Sequence, residues 1–156
     1  MKKATKMWLI IGGIVVALAV VLVVVPLITH RVIGPKLEAR VTKVYKPEEI
    51  VFQDLRANNF GLESKGAMQA RGNGALVLTA RELHFFQLIP ARDVRIPLDS
   101  IDEVKTVRSH LGKTVGRSLL HVSFTVDGHH DAMAWSVTDV EAWLAKLERK
   151  PNQDVR

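Results

Sequence analysis

The distribution of apolar residues divides the chain in two. Met7 through Ile28 is a run of 22 residues without a charge. A hydrocarbon core of about 30 Å needs roughly 20 apolar residues at about 1.5 Å rise each, so the run predicts a transmembrane helix over residues 7–28. Gly34-Pro35 is expected to end that helix. Residues 36–46 mix charges with scattered valines and match neither the helical nor the strand period. Pro47 then punctuates, and from residue 50 onward short runs of strand character follow one another: 50–52, 75–79, 83–88, 94–98 and 101–109. Pro97 confines the fourth to an edge or a bulge. The alternation in 101–109 does not set its phase. Residues 58–74 concentrate Gly and Asn, which tolerate positive φ, and read as loop or irregular edge. Within them, residues 59–66 fit either a functional loop or a bulged edge strand whose glycines solve a backbone problem.

Two later elements carry several agreeing signals. Residues 119–126 and 129–137 flank Asp127-Gly128, a type I′ turn signature. That turn sets Val126 opposite His129, Phe124 opposite Asp131, Val122 opposite Met133 and Leu120 opposite Trp135, a mostly apolar face. The other face holds His121, Ser123, Thr125, His130, Ala132 and Ala134, all small or polar. A helix follows over 138–150. Thr138-Asp139-Val140-Glu141 has the form of a capping box, and Val140, Trp143, Leu144 and Leu147 form one apolar stripe. Asp139 and Glu141 in the first turn and Arg149 and Lys150 in the last complement the helix dipole. Pro151 ends the helix, and residues 151–156 are expected to fray.

Composition refines this outline. No cysteine is present, which excludes disulfides, thiolate metal sites and a cysteine nucleophile. The formal net charge is +6, of which Lys2, Lys3 and Lys6 supply half ahead of the apolar run. Beyond it, acids interleave with bases, as in Arg92-Asp93-Val94-Arg95, which argues for a solvated surface and against a nucleic-acid partner. The apolar run exceeds an ordinary signal-peptide core and no Ala-x-Ala follows it, so an uncleaved anchor is expected. Arg31, Lys36, Arg40, Lys43 and Lys46 after the run outnumber the three lysines before it, which favours a cytoplasmic C-terminal domain; the Met-Lys-Lys start pulls the other way. Trp8 suits an interfacial position.

Gly74-Ala75-Leu76-Val77-Leu78-Thr79 followed by Leu83-His84-Phe85, then Arg95-Ile96-Pro97-Leu98-Asp99-Ser100-Ile101, resemble phrases of the GRAM and bacterial PH branches of the pleckstrin-homology-like fold. The order of about seven short strands and one closing helix is similar to that family too, over residues 47–150. The resemblance implies a mainly β domain, a bent antiparallel barrel of about seven strands capped by one amphipathic helix, with Trp143 packing the helix on the barrel. It implies a binding or scaffolding module without catalytic residues. Such domains often hold phosphoinositide headgroups on basic residues of the first loop. Here that loop carries Lys65 and Arg71, with Asn73 where a second arginine is expected, and Arg92 and Arg95 would add charge at the same open end. Lys113 and Arg117 form a second basic loop.

Other motifs fail on spacing. Gly112-Lys113-Thr114 lacks the upstream glycine of a phosphate-binding loop, since Val107 stands there. His129 and His130 are adjacent in a strand and point to opposite faces, so they do not share an ion. No nucleophile elbow or paired-acid spacing occurs. The expectation is therefore a non-enzymatic, single-pass membrane protein. Residues 1–6 form a basic tail, 7–28 the span, 29–46 a connector and 47–150 a PH-like domain. It has no cofactor or metal, and its partners are the membrane, an unidentified protein or anionic lipid. The alternative is a weak headgroup or phosphate receptor using Lys65, Arg71, Arg92 and Arg95; an enzyme subunit is the remote one.

Overall fold

A computed structural model describes residues 2–148, with the side chains of residues 2–6, 9, 25, 26 and 28–30 outside the described set. The expected fraying of 151–156 and the basic last turn at 149 and 150 lie outside these residues. The chain divides into two compact units after Lys36, and each is described separately.

In the first unit, α1 runs Lys2–Ile28 and passes into a π-helical turn, Thr29–Ile33. Its large described side chains are all apolar and exposed, from 41% at Val24 to 73% at Leu22. Among the described residues no helix is long and apolar enough to cross a membrane. The longest unbroken run of described side chains in α1 is 10–24, so the span expected over 7–28 rests on the sequence. Gly34-Pro35 does not end a helix but begins one: α2 spans Gly34–Val44. Proline is favoured in a first turn, where its missing N–H has no helical partner.

The second unit is a seven-stranded antiparallel sheet with a C-terminal helix. Its strands are β1 Ile50–Leu62, β2 Gly72–Thr79, β3 Glu82–Gln87, β4 Arg92–Pro97, β5 Ile101–Val107, β6 Leu119–Val126 and β7 His129–Ser136. They lie in the order β4-β3-β2-β1-β7-β6-β5. The sheet is open, with β4 and β5 as its unpaired edges, where a barrel was expected. Pro97 accordingly sits at the end of an edge strand. The β6–β7 hairpin has the expected register, from Val126 opposite His129 to Leu120 opposite Trp135, and Asp127 and Gly128 both have positive φ.

β1 departs most from expectation. Residues 58–62, expected as loop or irregular edge, are an irregular strand, which matches one of the two alternatives for 59–66, but a central strand and not an edge. β1 pairs with β2 as far as Asn59, and with β7 from Asn58 to Leu62, with irregularities at 50–52, 54–57 and 59–62. Asp54 sits at one of them. Its buried carboxylate accepts the Arg56 N–H at 2.8 Å and the Thr138 N–H at 2.5 Å, which ties the bulge to the start of the last helix.

That helix, α3, spans Val140–Glu148. The cap is Asp139 in place of the expected Thr138: its side chain accepts the Ala142 N–H at 3.0 Å, and the Thr138 N–H, which a capping box would give to Glu141, goes to Asp54. Trp143 and Leu147 enter a single core with Leu76, Leu78, Leu83, Phe85, Ile96, Leu120, Val122 and Trp135. The Trp143 ring meets Phe52 edge-on at 4.8 Å. Ile96 brings edge strand β4 into this core, and Ile101 and Val104 of the other edge, β5, pack against it half-buried, which is why the open sheet curls around α3.

On the opposite face of β2 and β3, residues 37–44 of α2 bury Leu37 and Val41. Arg40 donates to the Gln87 carbonyl at 2.7 Å and pairs with Asp93 at 2.7 Å. Strands covered on both faces need apolar residues at consecutive positions, and Ala75-Leu76-Val77-Leu78 and Leu83-His84-Phe85-Phe86 are buried throughout. If α3 is an integral wall of this core, Trp143→Ala should cost about 3–5 kcal/mol in urea unfolding. A loss below about 1 kcal/mol would show instead that α3 is only appended to the sheet.

Candidate functional site

The six basic residues singled out in the sequence fall in three places. Lys65 is exposed in the 3-10 turn Glu63–Lys65, beyond the end of β1. Arg92 and Arg95 lie on edge strand β4, where Arg95 pairs with Glu82 at 3.6 Å. Arg71, Lys113 and Arg117 gather around β1 and β7. Arg71 lies 4.2 Å above the Phe60 ring and donates to Asn58. Lys113 donates to the Gln69 carbonyl at 2.7 Å, and Arg117 donates to Ser136, which is opposite Asn58 in the sheet. Four of the six thus hold the protein together; the register puts the β1–β2 connection with Lys65 and Arg71 at the same end of the sheet as Arg92, while Arg95 lies three residues further along β4, opposite His84. Arg117 also lines a cleft of about 290 Å³ with Arg108, Thr114, Gly116 and Ser118.

A more concentrated arrangement lies on the outer face of β5, β6 and β7. Alternation turns His121 and Ser123 of β6 outward, beside Glu103 and Lys105 of β5 and small Ala132 and Ala134 of β7. The small alanines leave room for side chains arriving from two loops. One is the turn at Glu63. Gly61 has φ +104°, and a Cβ there would come 2.9 Å from Gln69, so glycine is required. Gln69 bonds the Leu62 N–H and the Leu62 and Gly66 carbonyls, which closes the loop. Ser64 donates its N–H and hydroxyl to Asp131 of β7 at 3.0 and 2.6 Å. Burial opposes the charge of Asp131, but these bonds and the Ala132 N–H outweigh it and hold the carboxyl below its usual range.

The second loop is the turn at 110–113. His110 and Lys113 exchange backbone hydrogen bonds, with Leu111 and Gly112 at positive φ. This folds the His110 ring inward, where Nε2–H donates to the Gly61 carbonyl at 2.9 Å. Its Nδ1 then stands 3.8 Å from Glu63 Oε1, and His121 Nε2 stands 3.5 Å from the same oxygen. Both imidazoles are buried, while Glu63 is half-exposed at the mouth of a cleft of about 470 Å³ that also includes His130 on its rim. Burial lowers the His121 pKa, partly offset by Glu63, which favours its neutral form. His130 itself is exposed and bonds Asp102 at 3.2 Å.

The trio was missed because its members are 47 and 11 residues apart. The available signal was weak: His121 on a polar strand face, read as surface because nothing in the sequence indicated what covered it.

Another titratable cluster lies between α2 and β3. The Tyr45 hydroxyl donates to Glu82 and accepts from His84 Nδ1 at 2.8 Å, while the His84 ring stacks on Phe86. Burial pushes the His84 pKa down from 6.5 to about 4, and Arg95 adds to it. His84 is fully buried, so the cluster is a docking contact closed to ligands.

No family model and no curated sequence matches the chain. Two solved structures are similar in shape. The C-terminal domain of an unknown protein from Leishmania infantum aligns at 14% identity over 65% of this chain and 83% of that one, with a TM-score of 0.47. A chain of the 8S snRNP assembly intermediate aligns at 9% identity over 71% of this chain and 88% of that one, with a TM-score of 0.53. At such identity the second likeness concerns the fold alone.

The His84 contact has a calculable pH signature. Its folded pKa lies below the unfolded one, so the unfolded chain takes up the proton first on acidification. Stability should therefore fall as pH drops from 6.5 towards 4, by up to about 3 kcal/mol, with no further loss from this group below that. Urea titrations from pH 7.5 to 4 should show a shallower decline for His84→Gln than for the wild type. Parallel declines would remove His84 as a contributor.

Proposed function

We propose that this chain is a single-pass membrane protein in which residues 7–28 anchor a pleckstrin-homology-like interaction domain beside the bilayer. The observation that carries the reading is α1 itself. It is helical across the whole uncharged run, and its large described side chains are apolar and exposed on every side. Exposed apolar surface of that extent is strongly unfavourable in water and favourable in hydrocarbon. The seven-stranded open sheet with its closing helix supports the domain reading, together with the GRAM-like phrases that fall on β2, β3 and β4. The excess of Lys and Arg after the span supports a cytoplasmic domain.

Interaction with protein is favoured over capture of a lipid headgroup. A headgroup site needs several free cations converging on one pocket. Here Arg71, Arg95, Lys113 and Arg117 are each engaged by groups of the protein itself.

Alkaline carbonate extraction of membranes from expressing cells tests the anchor. The full chain should remain in the pellet, and a chain lacking residues 7–28 should move to the supernatant. Release of the full chain would reject the span. For the headgroup alternative, the 37–156 unit should show no salt-sensitive co-sedimentation with anionic phosphatidylserine vesicles. Co-sedimentation that is abolished by Arg71→Ala with Arg92→Ala would favour that alternative instead.

A further inference from the structure

We infer that Glu63, His110 and His121 form a binding site for one divalent transition-metal ion of the zinc class. Three donor atoms from these side chains lie within 4.8 Å of one another. The Glu63 contacts, at 3.8 and 3.5 Å, are too long for direct hydrogen bonds. They are close to the separation that tetrahedral coordination imposes, since ligands about 2.0–2.1 Å from zinc stand roughly 3.4 Å apart. The half-exposed Glu63 can close its own two contacts, and the two imidazole nitrogens, within 4.8 Å of each other, would have to reach the same spacing.

The lone pairs are arranged for such an ion. His110 spends its Nε2–H on the Gly61 carbonyl, which leaves the Nδ1 lone pair directed at Glu63. A backbone carbonyl behind the distal nitrogen is the usual support of a metal-ligating imidazole, since it fixes tautomer and ring orientation. His121 is buried beside it, with ring centroids 5.4 Å apart, and its Nδ1 has no hydrogen-bond partner. Its Nε2 is therefore the nitrogen that faces the shared centre. Lys105, opposite His121 in the sheet, is engaged by Glu103 at 2.5 Å. Lys113 is held by the Gln69 carbonyl.

Two imidazoles and one carboxylate select a borderline ion such as Zn²⁺ over Mg²⁺ or Ca²⁺, which prefer all-oxygen sets. Three protein ligands leave a fourth position, and the cleft of about 470 Å³ opens onto it. A water or a partner's side chain can fill that position. The inference stands on this trio alone and does not depend on the anchor or on the domain's family.

The test uses the full chain, purified in detergent without a histidine tag and stripped with a chelator. Zn²⁺ is then titrated by calorimetry, and Co²⁺ serves as a spectroscopic probe of ligand geometry. One equivalent should bind, with a Co²⁺ spectrum characteristic of tetrahedral N/O coordination, and Mg²⁺ in excess should not compete. His121→Gln and Glu63→Gln should each weaken binding by at least about tenfold. His129→Ala, on the exposed start of β7 outside the cleft, should leave it unchanged. Glu63 is exposed in a surface turn, so Glu63→Gln keeps the test valid if His121→Gln does not fold. The inference is overturned if the wild type binds no stoichiometric Zn²⁺, if Glu63→Gln binds as tightly as the wild type, or if binding is lost in His129→Ala.

Discussion

β1 has to serve both halves of the sheet. It pairs along its first part with β2 and along its last with β7, so among the described residues the backbone ladders of the β2–β3–β4 half and the β7–β6–β5 half are joined through it. A strand that changes partners must bend, and a regular ladder does not allow that. The bend is made at the irregularities around 54–57 and 59–62, where extra residues leave backbone groups to be satisfied by other means. Asp54 does this at the first. One carboxylate accepts the Arg56 N–H of the bulge and the Thr138 N–H ahead of α3. The curl of the sheet and the entry angle of the helix that fills it are thus set by the same side chain. Removing the carboxylate would take the partner from both N–H groups, which belong to exposed residues, at a cost for each of about 0.5–1.5 kcal/mol, that of an ordinary hydrogen bond.

The second irregularity builds the candidate site. Gly61, at φ +104°, lies in the irregularity between Asn59 and Leu62, and its carbonyl accepts from His110 Nε2–H. Two residues later the chain is in the Glu63–Lys65 turn, which Ser64 fastens to Asp131 on β7. The three side chains of the trio are therefore positioned by the bend of β1, by a tight turn and by an ordinary strand face. None belongs to a local motif. The arrangement is a by-product of sheet geometry placed where the alanines of β7 leave space.

What was legible in the sequence is what local chemistry determines. The β6–β7 hairpin could be written residue for residue because the Asp127-Gly128 turn and the strand alternation independently require one register. α3 was legible from its stripe, but its cap was not. Asp139 and Thr138 are both good caps in isolation, and the Thr138 N–H that a capping box would give to Glu141 is taken by Asp54, 84 residues away. β1 was obscured because Asn58, Asn59 and Gly61 have loop composition while a bent central strand uses them for hydrogen bonding and positive φ. α2 was obscured for a different reason. Its buried residues, Leu37 and Val41, are few, and the evidence for a covering helix lay elsewhere, in the continuous apolar runs of β2 and β3. Continuous runs signal burial on both faces without naming the cover.

The basic residues show why charge in a sequence is poor evidence for a ligand. Arg71 is held by an aromatic face and an amide, Lys113 by a carbonyl, Arg117 by a hydroxyl and Arg95 by a carboxylate. Only the last partner is acidic, so no count of opposite charges would have revealed the other three. The same distribution bears on how an anchored domain works. A module tethered to a bilayer meets membrane-associated partners at high effective concentration, and a contact too weak to recruit a free protein then suffices. On the proposed reading, the domain can commit its cations to its own loops because the helix before it supplies the recruitment that those cations would otherwise have to provide.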